Sequence, residues 1–128
     1  MKIKTAELEG ALLDWAVAFA LNGKPAFTQA FGSKTLGRSI VRMIDCGEIT
    51  PSTNWSQGGV LIEKHCIDLL CVDCGVWNAQ TCDKNGACVD FDWSEGESPL
   101  IAAMRAIVSV ELGSEVDVPD DIYQNLQK

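Results

Sequence analysis

The sequence predicts an α+β domain, with two main helices packed on one face of a small antiparallel sheet. Helix-period apolar residues occur near both ends of the chain, and strand-like alternation fills the middle. The order helix, strands, helix, strand is that of a sheet covered on one face. With 128 residues, 47% of them hydrophobic, the chain suits one core, so residues 1–128 are read as a single domain.

The first helix follows from Leu8, Leu12, Trp15 and Phe19, which share a face, with Ala11, Ala16 and Ala20 beside them and Gly23 as the stop. Asp14 lies one step off the Trp15 stripe and is expected to face solvent. Residues 24–34, with Pro25 and Gly32, read as loop, and residues 35–44 as a short helix weakened by Gly37. Residues 50–59 form a polar loop around Trp55. Val60, Leu61 and Ile62 open a strand that runs through Leu70, followed by strands at residues 76–81 and 87–93. Between the last two, Asp83 and Gly86 suit a three-residue turn that sets Cys82 opposite Cys88. Ser98 as cap and Pro99 as first residue begin the second main helix, which ends at Gly113. Residues 115–118 alternate as a strand, and residues 120–127 make a final short helix.

Composition narrows the function. The net charge of −8 argues against nucleic acid or an anionic membrane as partner, because both reward summed positive charge. The charge is uneven, at +3 over residues 1–44 and −11 over residues 45–128. An anion-binding surface would therefore draw on the first third, where Lys34, Arg38 and Arg42 recur at helical spacing, and on Arg105. The start shows no signal-peptide pattern and no run is long enough for a membrane span, which points to a reducing cytoplasm.

In that setting the six cysteines are buried thiols, metal ligands or redox groups. Cys71 and Cys74 form a C-x-x-C-G turn that, with Cys82 and Cys88, could complete a zinc site, and His65 and Cys66 are spare ligands. No second C-x-x-C answers the first, so apolar packing and a cross-strand thiol pair are the favoured reading, with no metal and no cofactor. The sequence holds one histidine, no phosphate loop and no dinucleotide fingerprint, which makes an enzyme the weaker expectation.

Several segments resemble the NinX-like family of small bacteriophage accessory proteins. They are residues 4–10, residues 13–18 with Asp14 and Trp15, residues 51–59 followed by Ile62 and Glu63, Trp77 with Asn78 and Ala79, residues 99–105, and residues 112–119. The resemblance implies a phage product acting in the cytoplasm of the infected bacterial host, and it brings no activity or catalytic residues with it. The matching segments are rich in groups that bind rather than react: Ser52, Thr53, Asn54, Trp55 and Gln57 in one loop, Trp77 on a strand and Arg105 on a helix. An indole on a base, an arginine on a phosphate and a capped helix start suit a nucleotide-like small molecule, although Glu97 beside that start would repel a phosphate. The expectation is a non-enzymatic, homo-oligomeric phage protein that sequesters a nucleotide-type second messenger of host immunity, of the cyclic ADP-ribose or cyclic nucleotide kind. The alternatives are a protein-binding accessory or inhibitor that uses the acidic part of the chain, a small zinc-stabilised domain, and a nucleotide hydrolase.

Overall fold

Strand β1 (Lys2–Lys4) opens the chain and pairs antiparallel with β5 (Glu115–Asp117), Ile3 lying opposite Val116. Three residues are too few for a period, so the sequence did not announce β1. The structure, a computed structural model, describes residues 1–32, 39–82 and 93–126. Thr5 ties this corner to the far end of the chain, its amide donating to the Ser114 carbonyl at 2.8 Å and its buried hydroxyl to that of Gly113 at 2.7 Å.

Helix α1 (Gly10–Leu21) is buried on nearly every side, with Leu13, Ala16, Val17, Ala18 and Leu21 fully enclosed. Phe19, expected in the core stripe, is 51% exposed, and its ring stacks on Trp15 at 4.9 Å. Asp14, expected in solvent, is only 5% exposed. Its Oδ1 accepts the Ser52 amide at 2.9 Å, so the carboxyl fixes the segment that leads into a later helix. Burial raises its pKa above the ordinary aspartate range, and the contacts with Ser52 pull the other way.

Residues 24–34 are not the loop the sequence suggested, for helix α2 (Pro25–Phe31) occupies most of them. Proline at the first helical position forfeits no hydrogen bond, Phe27, Ala30 and Phe31 bury one face, and Gly32 at φ +89° ends the run. Of the helix expected over residues 35–44, the described part is α3 (Ile40–Asp45). Lys34 and Arg38 fall outside the described residues, and Arg42 is exposed on α3.

The largest correction concerns residues 55–64, which form helix α4 (Trp55–Lys64) rather than polar loop and strand. Asn54 caps it, its side chain accepting the Ser56 amide at 2.9 Å. Two adjacent glycines and the branched Val60 and Ile62 disguised this helix. Gly58 is required by packing: a Cβ there would stand 2.4 Å from Leu100 Cδ2 and 2.6 Å from the Pro51 carbonyl oxygen. The strand therefore starts later, with β2 (Ile67–Asp73) pairing antiparallel with β3 (Val76–Thr81), which in turn pairs with β4 (Ser94–Gly96). The turn that would set Cys82 against Cys88, and the expected strand at residues 87–93 apart from Trp93, lie outside the described residues.

Helix α5 (Pro99–Leu112) begins where the sequence placed it, the Ser98 hydroxyl accepting the Ile101 amide at 3.1 Å. Ala102 and Ala106 meet Ala79 of β3, and these small side chains let helix and sheet approach closely. Gly96 completes the approach, since a Cβ there would lie 2.5 Å from the Ala102 amide nitrogen. Other faces of α5, through Ala103, Met104, Ile107 and Val108, join the main core with α1. After β5, helix α6 (Asp120–Leu126) closes the chain as expected. The mixed helix-and-strand domain with a small antiparallel sheet is thus present, and α5 is the element that joins its parts.

Two pairs of variants test this packing. Gly58→Ala is expected to lower stability by about 1–3 kcal/mol through overpacking. Gly59→Ala, where the nearest atom to a Cβ is Trp55 Cε3 at 4.0 Å, should raise it by about 1 kcal/mol through helix propensity, as read by chemical denaturation. Asp14→Ala, which strands the buried Ser52 amide, should cost about 1–3 kcal/mol. Because the folded pKa of Asp14 is raised, the stability of the natural protein relative to Asp14→Asn should be greatest below about pH 4 and decline as pH rises through the folded value. A relative stability that grows with pH would contradict the assignment.

Candidate functional site

Arg105 is the one cation on α5, and its guanidinium is held by two backbone carbonyls. Nε donates to Leu8 O at 2.9 Å and Nη1 to Glu95 O at 2.7 Å. The side chain thus bridges the turn before α1 and strand β4, with its plane fixed while part of it remains exposed. Beside it lies a cleft of about 410 Å³ whose lining includes Lys4, Trp93, Ser94, Ser109 and Ser114 together with Glu95 and Glu115. That volume falls within the range of small-molecule sites. Trp93 is 42% exposed and offers an indole face, Lys4 adds an amine, and the serines supply hydroxyls. The two carboxylates balance the two cations, so the cleft does not carry a bare positive field, and Lys4 sits opposite Glu115 in the β1–β5 register.

The other residues singled out from the sequence are divided by the fold. Ser52, Thr53 and Trp55 line a second cleft of about 380 Å³ with Ser98, Pro99, Leu100 and Ile101 at the start of α5. Trp55 is 56% exposed there. The capped helix start does adjoin the polar segment, as the nucleotide reading required. Two carboxyls work against an anion, however: Asp14 lies directly behind Ser52, and Glu97 precedes the cap. The side-chain oxygen of Asn54 and both amide groups of Gln57 are taken up by the fold. Asn54 caps α4, while Gln57 Oε1 accepts the Thr50 amide at 2.8 Å and its Nε2 donates to Glu48 O at 2.7 Å. Trp77 is half-buried on β3 against Ala79, Ala102 and Ala106, where it serves packing.

Sequence reasoning found Arg105 but missed its neighbours. Ser109 was within reach, because it stands four residues on and shares a helix face with Arg105. Trp93 was read only as part of a strand, Ser114 stands just past the end of α5, and nothing local links Lys4 to Arg105 about a hundred positions away.

The cysteines do not converge on a metal among the described residues, where no group of three histidine, cysteine or acidic side chains is placed to hold one. Cys71 and Cys74 are exposed at the β2–β3 turn, Cys71 Sγ donating to Asp73 O at 3.4 Å and the Cys74 amide to Asp73 Oδ1 at 2.7 Å. Cys88 lies outside the described residues. His65 ends α4, its Nδ1–H donating to Leu61 O at 3.0 Å because a carbonyl only accepts.

A family model described as Bacteriophage P22, NinX matches residues 4–110, a span that begins at Lys4 and includes Trp55, Trp93 and Arg105. No curated protein matches the chain. No helix among the described residues is long and apolar enough to cross a membrane.

The division of the polar segment into structural and exposed groups is testable by thermal denaturation. Gln57→Ala, which removes two links to the backbone, should lower stability by about 1–3 kcal/mol. Trp55→Ala should leave stability within about 0.5 kcal/mol, as is usual for an exposed side chain.

Proposed function

From the premise that this chain belongs to the bacteriophage P22 NinX family, we propose that it is a phage-encoded, non-enzymatic binding protein for a nucleotide-type small molecule, held in the Arg105 cleft. The observation that carries this reading is the meeting of guanidinium, amine, indole and hydroxyls around one cavity of about 410 Å³. Trp93 is suited to stack on a base, which is worth about 1–3 kcal/mol. The N–H groups of Arg105 not used on Leu8 and Glu95, together with Lys4, are suited to a phosphate. Because both backbone bonds already orient the guanidinium, little side-chain entropy remains to be lost on binding.

Among the described residues the lining holds cations, serines and two carboxylates, with no histidine or thiol beside a serine to activate it, which supports binding over turnover. A phage product of this kind serves its carrier by withdrawing a signalling nucleotide of the infected host from circulation in the cytoplasm. Second messengers of host immunity, of the cyclic ADP-ribose or cyclic nucleotide type, are a ligand class that joins a base to phosphates at this size.

The test is uptake followed by release. The purified protein is incubated with cyclic AMP, cyclic GMP and cyclic ADP-ribose at micromolar concentration, freed of unbound ligand, heated, and the supernatant analysed by mass spectrometry. Intact recovered ligand supports sequestration, whereas a hydrolysed product replaces this reading with an enzyme. Absence of uptake overturns the nucleotide assignment and leaves protein binding through the acidic part of the chain. Trp93→Ala should weaken affinity about 10-fold or more, from the lost stacking, while Trp55→Ala leaves it unchanged. The reverse pattern moves the site to the second cleft.

A further inference from the structure

The ladder of the three-stranded sheet fixes which way the backbone of Glu95 points. The Cys82 amide donates to Cys66 O at 3.0 Å, in the register that sets Ile67 opposite Thr81, so residues 78, 80 and 82 turn their backbone groups toward β2. Residues 77 and 79 therefore bond to Gly96 and Ser94 of β4, and Glu95, opposite Asn78, turns its N–H and C=O away from β3. Its carbonyl is accordingly open to accept Arg105 Nη1 at 2.7 Å. The Glu95 side chain is exposed in the lining of the Arg105 cleft. Trp93 lines the same cleft two residues away, the spacing that puts side chains on one face of a strand about 6.6 Å apart. Among the described residues no cation lies within ion-pair distance of the Glu95 carboxylate. Its cross-strand neighbour is the uncharged Asn78, whereas Glu115 has Lys4 opposite it.

We propose that Glu95 chooses the base of the ligand, accepting guanine and rejecting adenine, an inference that rests on the nucleotide-binding function assigned to this cleft above. An ionised carboxylate only accepts hydrogen bonds. Guanine offers it two adjacent donors, N1–H and the 2-amino group, so both oxygens are satisfied at once. The neighbouring O6 needs a donor, and the outward N–H of Glu95 supplies one. Adenine has a bare N1 lone pair where guanine has N1–H, and that lone pair would face the carboxylate with no proton between them. The two bases thus differ at the atom the carboxylate meets. Trp93 stacks on either of them, because every base has a π-face, so the indole supplies affinity and Glu95 the choice. In cyclic ADP-ribose the adenine N1 is bonded to ribose and has no lone pair, so the rejection applies to adenine with a free N1, as in cyclic AMP.

The test is isothermal titration calorimetry of cyclic GMP and cyclic AMP with the natural chain, Glu95→Gln and Glu115→Gln. The natural chain should bind cyclic GMP about 10-fold or more tighter than cyclic AMP. Glu95→Gln should reverse that order, because its amide donates to a bare N1 and accepts from the 6-amino group, while its thermal denaturation stays that of the natural chain. Glu115→Gln should leave the ratio of the two affinities as it was. Equal affinities, a natural preference for cyclic AMP, or a guanine preference that survives Glu95→Gln overturns the assignment of the base and leaves nucleotide binding standing. Binding of neither ligand at about 100 μM overturns it together with the cyclic nucleotide reading of the cleft.

Discussion

The fold and the candidate site both depend on the guanidinium of Arg105. Helix α5 touches the sheet through alanines and the main core through larger apolar side chains, and those contacts alone would let the helix slide. The bonds to Leu8 O and Glu95 O remove that freedom, since they fix one point of α5 against the entry to α1 and against β4 at once. Hydrogen bonds from a charged donor are worth about 1.5–3 kcal/mol each, a sizeable share of the stability of a small domain. The same bonds set the wall of the cleft, because β4 carries Ser94 and Glu95 and continues from Trp93.

A second polar anchor, Asp14, acts on the other side of the molecule. Its buried carboxyl takes the Ser52 amide and so fixes the approach to α4, where Gly58 lets the helix close on Leu100. Arg105 and Asp14 lie on the two long helices and both bind backbone rather than a charged partner. Backbone is the partner that does not move when a surface side chain is exchanged, which leaves the flanking residues free to vary the clefts. The Trp55 cleft and the Arg105 cleft are thus separate results of two anchors. The first cleft has carboxyls beside it and no cation in its lining, whereas the second sets Lys4 and Arg105 against Glu95 and Glu115.

Elements whose signals are local were legible in the sequence. Ser98 and Pro99 announced α5, Gly23 closed α1, β3 emerged at its observed limits, and β5 and α6 followed Gly113. Elements whose reason lies elsewhere were not. Helix α4 was hidden because Gly58 answers to Leu100, about forty residues away, and not to its own neighbours. Asp14 looked like a surface acid because its acceptor role depends on Ser52 coming to meet it. For the site, charge and residue type sufficed to pick Arg105. The aromatic beside it is Trp93 rather than Trp55 or Trp77, and that choice is made by the pairing of β3 with β4, which brings Gly96 opposite Trp77 and leaves Trp93 at the cleft. Asn54 and Gln57 resemble ligand-binding groups in composition, yet they are consumed in capping and bracing the chain.

The central claim is that one guanidinium braces the fold through one edge and serves a ligand with the rest. The most direct measurement is nitrogen-15 NMR of the arginine side chains with and without cyclic ADP-ribose. In the free protein the Nε–H of Arg105 should exchange slowly with water because it is bonded to Leu8 O, and its signal should shift saturably as ligand is added. An Arg105 Nε–H that exchanges as fast as that of exposed Arg42, or one that stays still while ligand binds, would contradict the account.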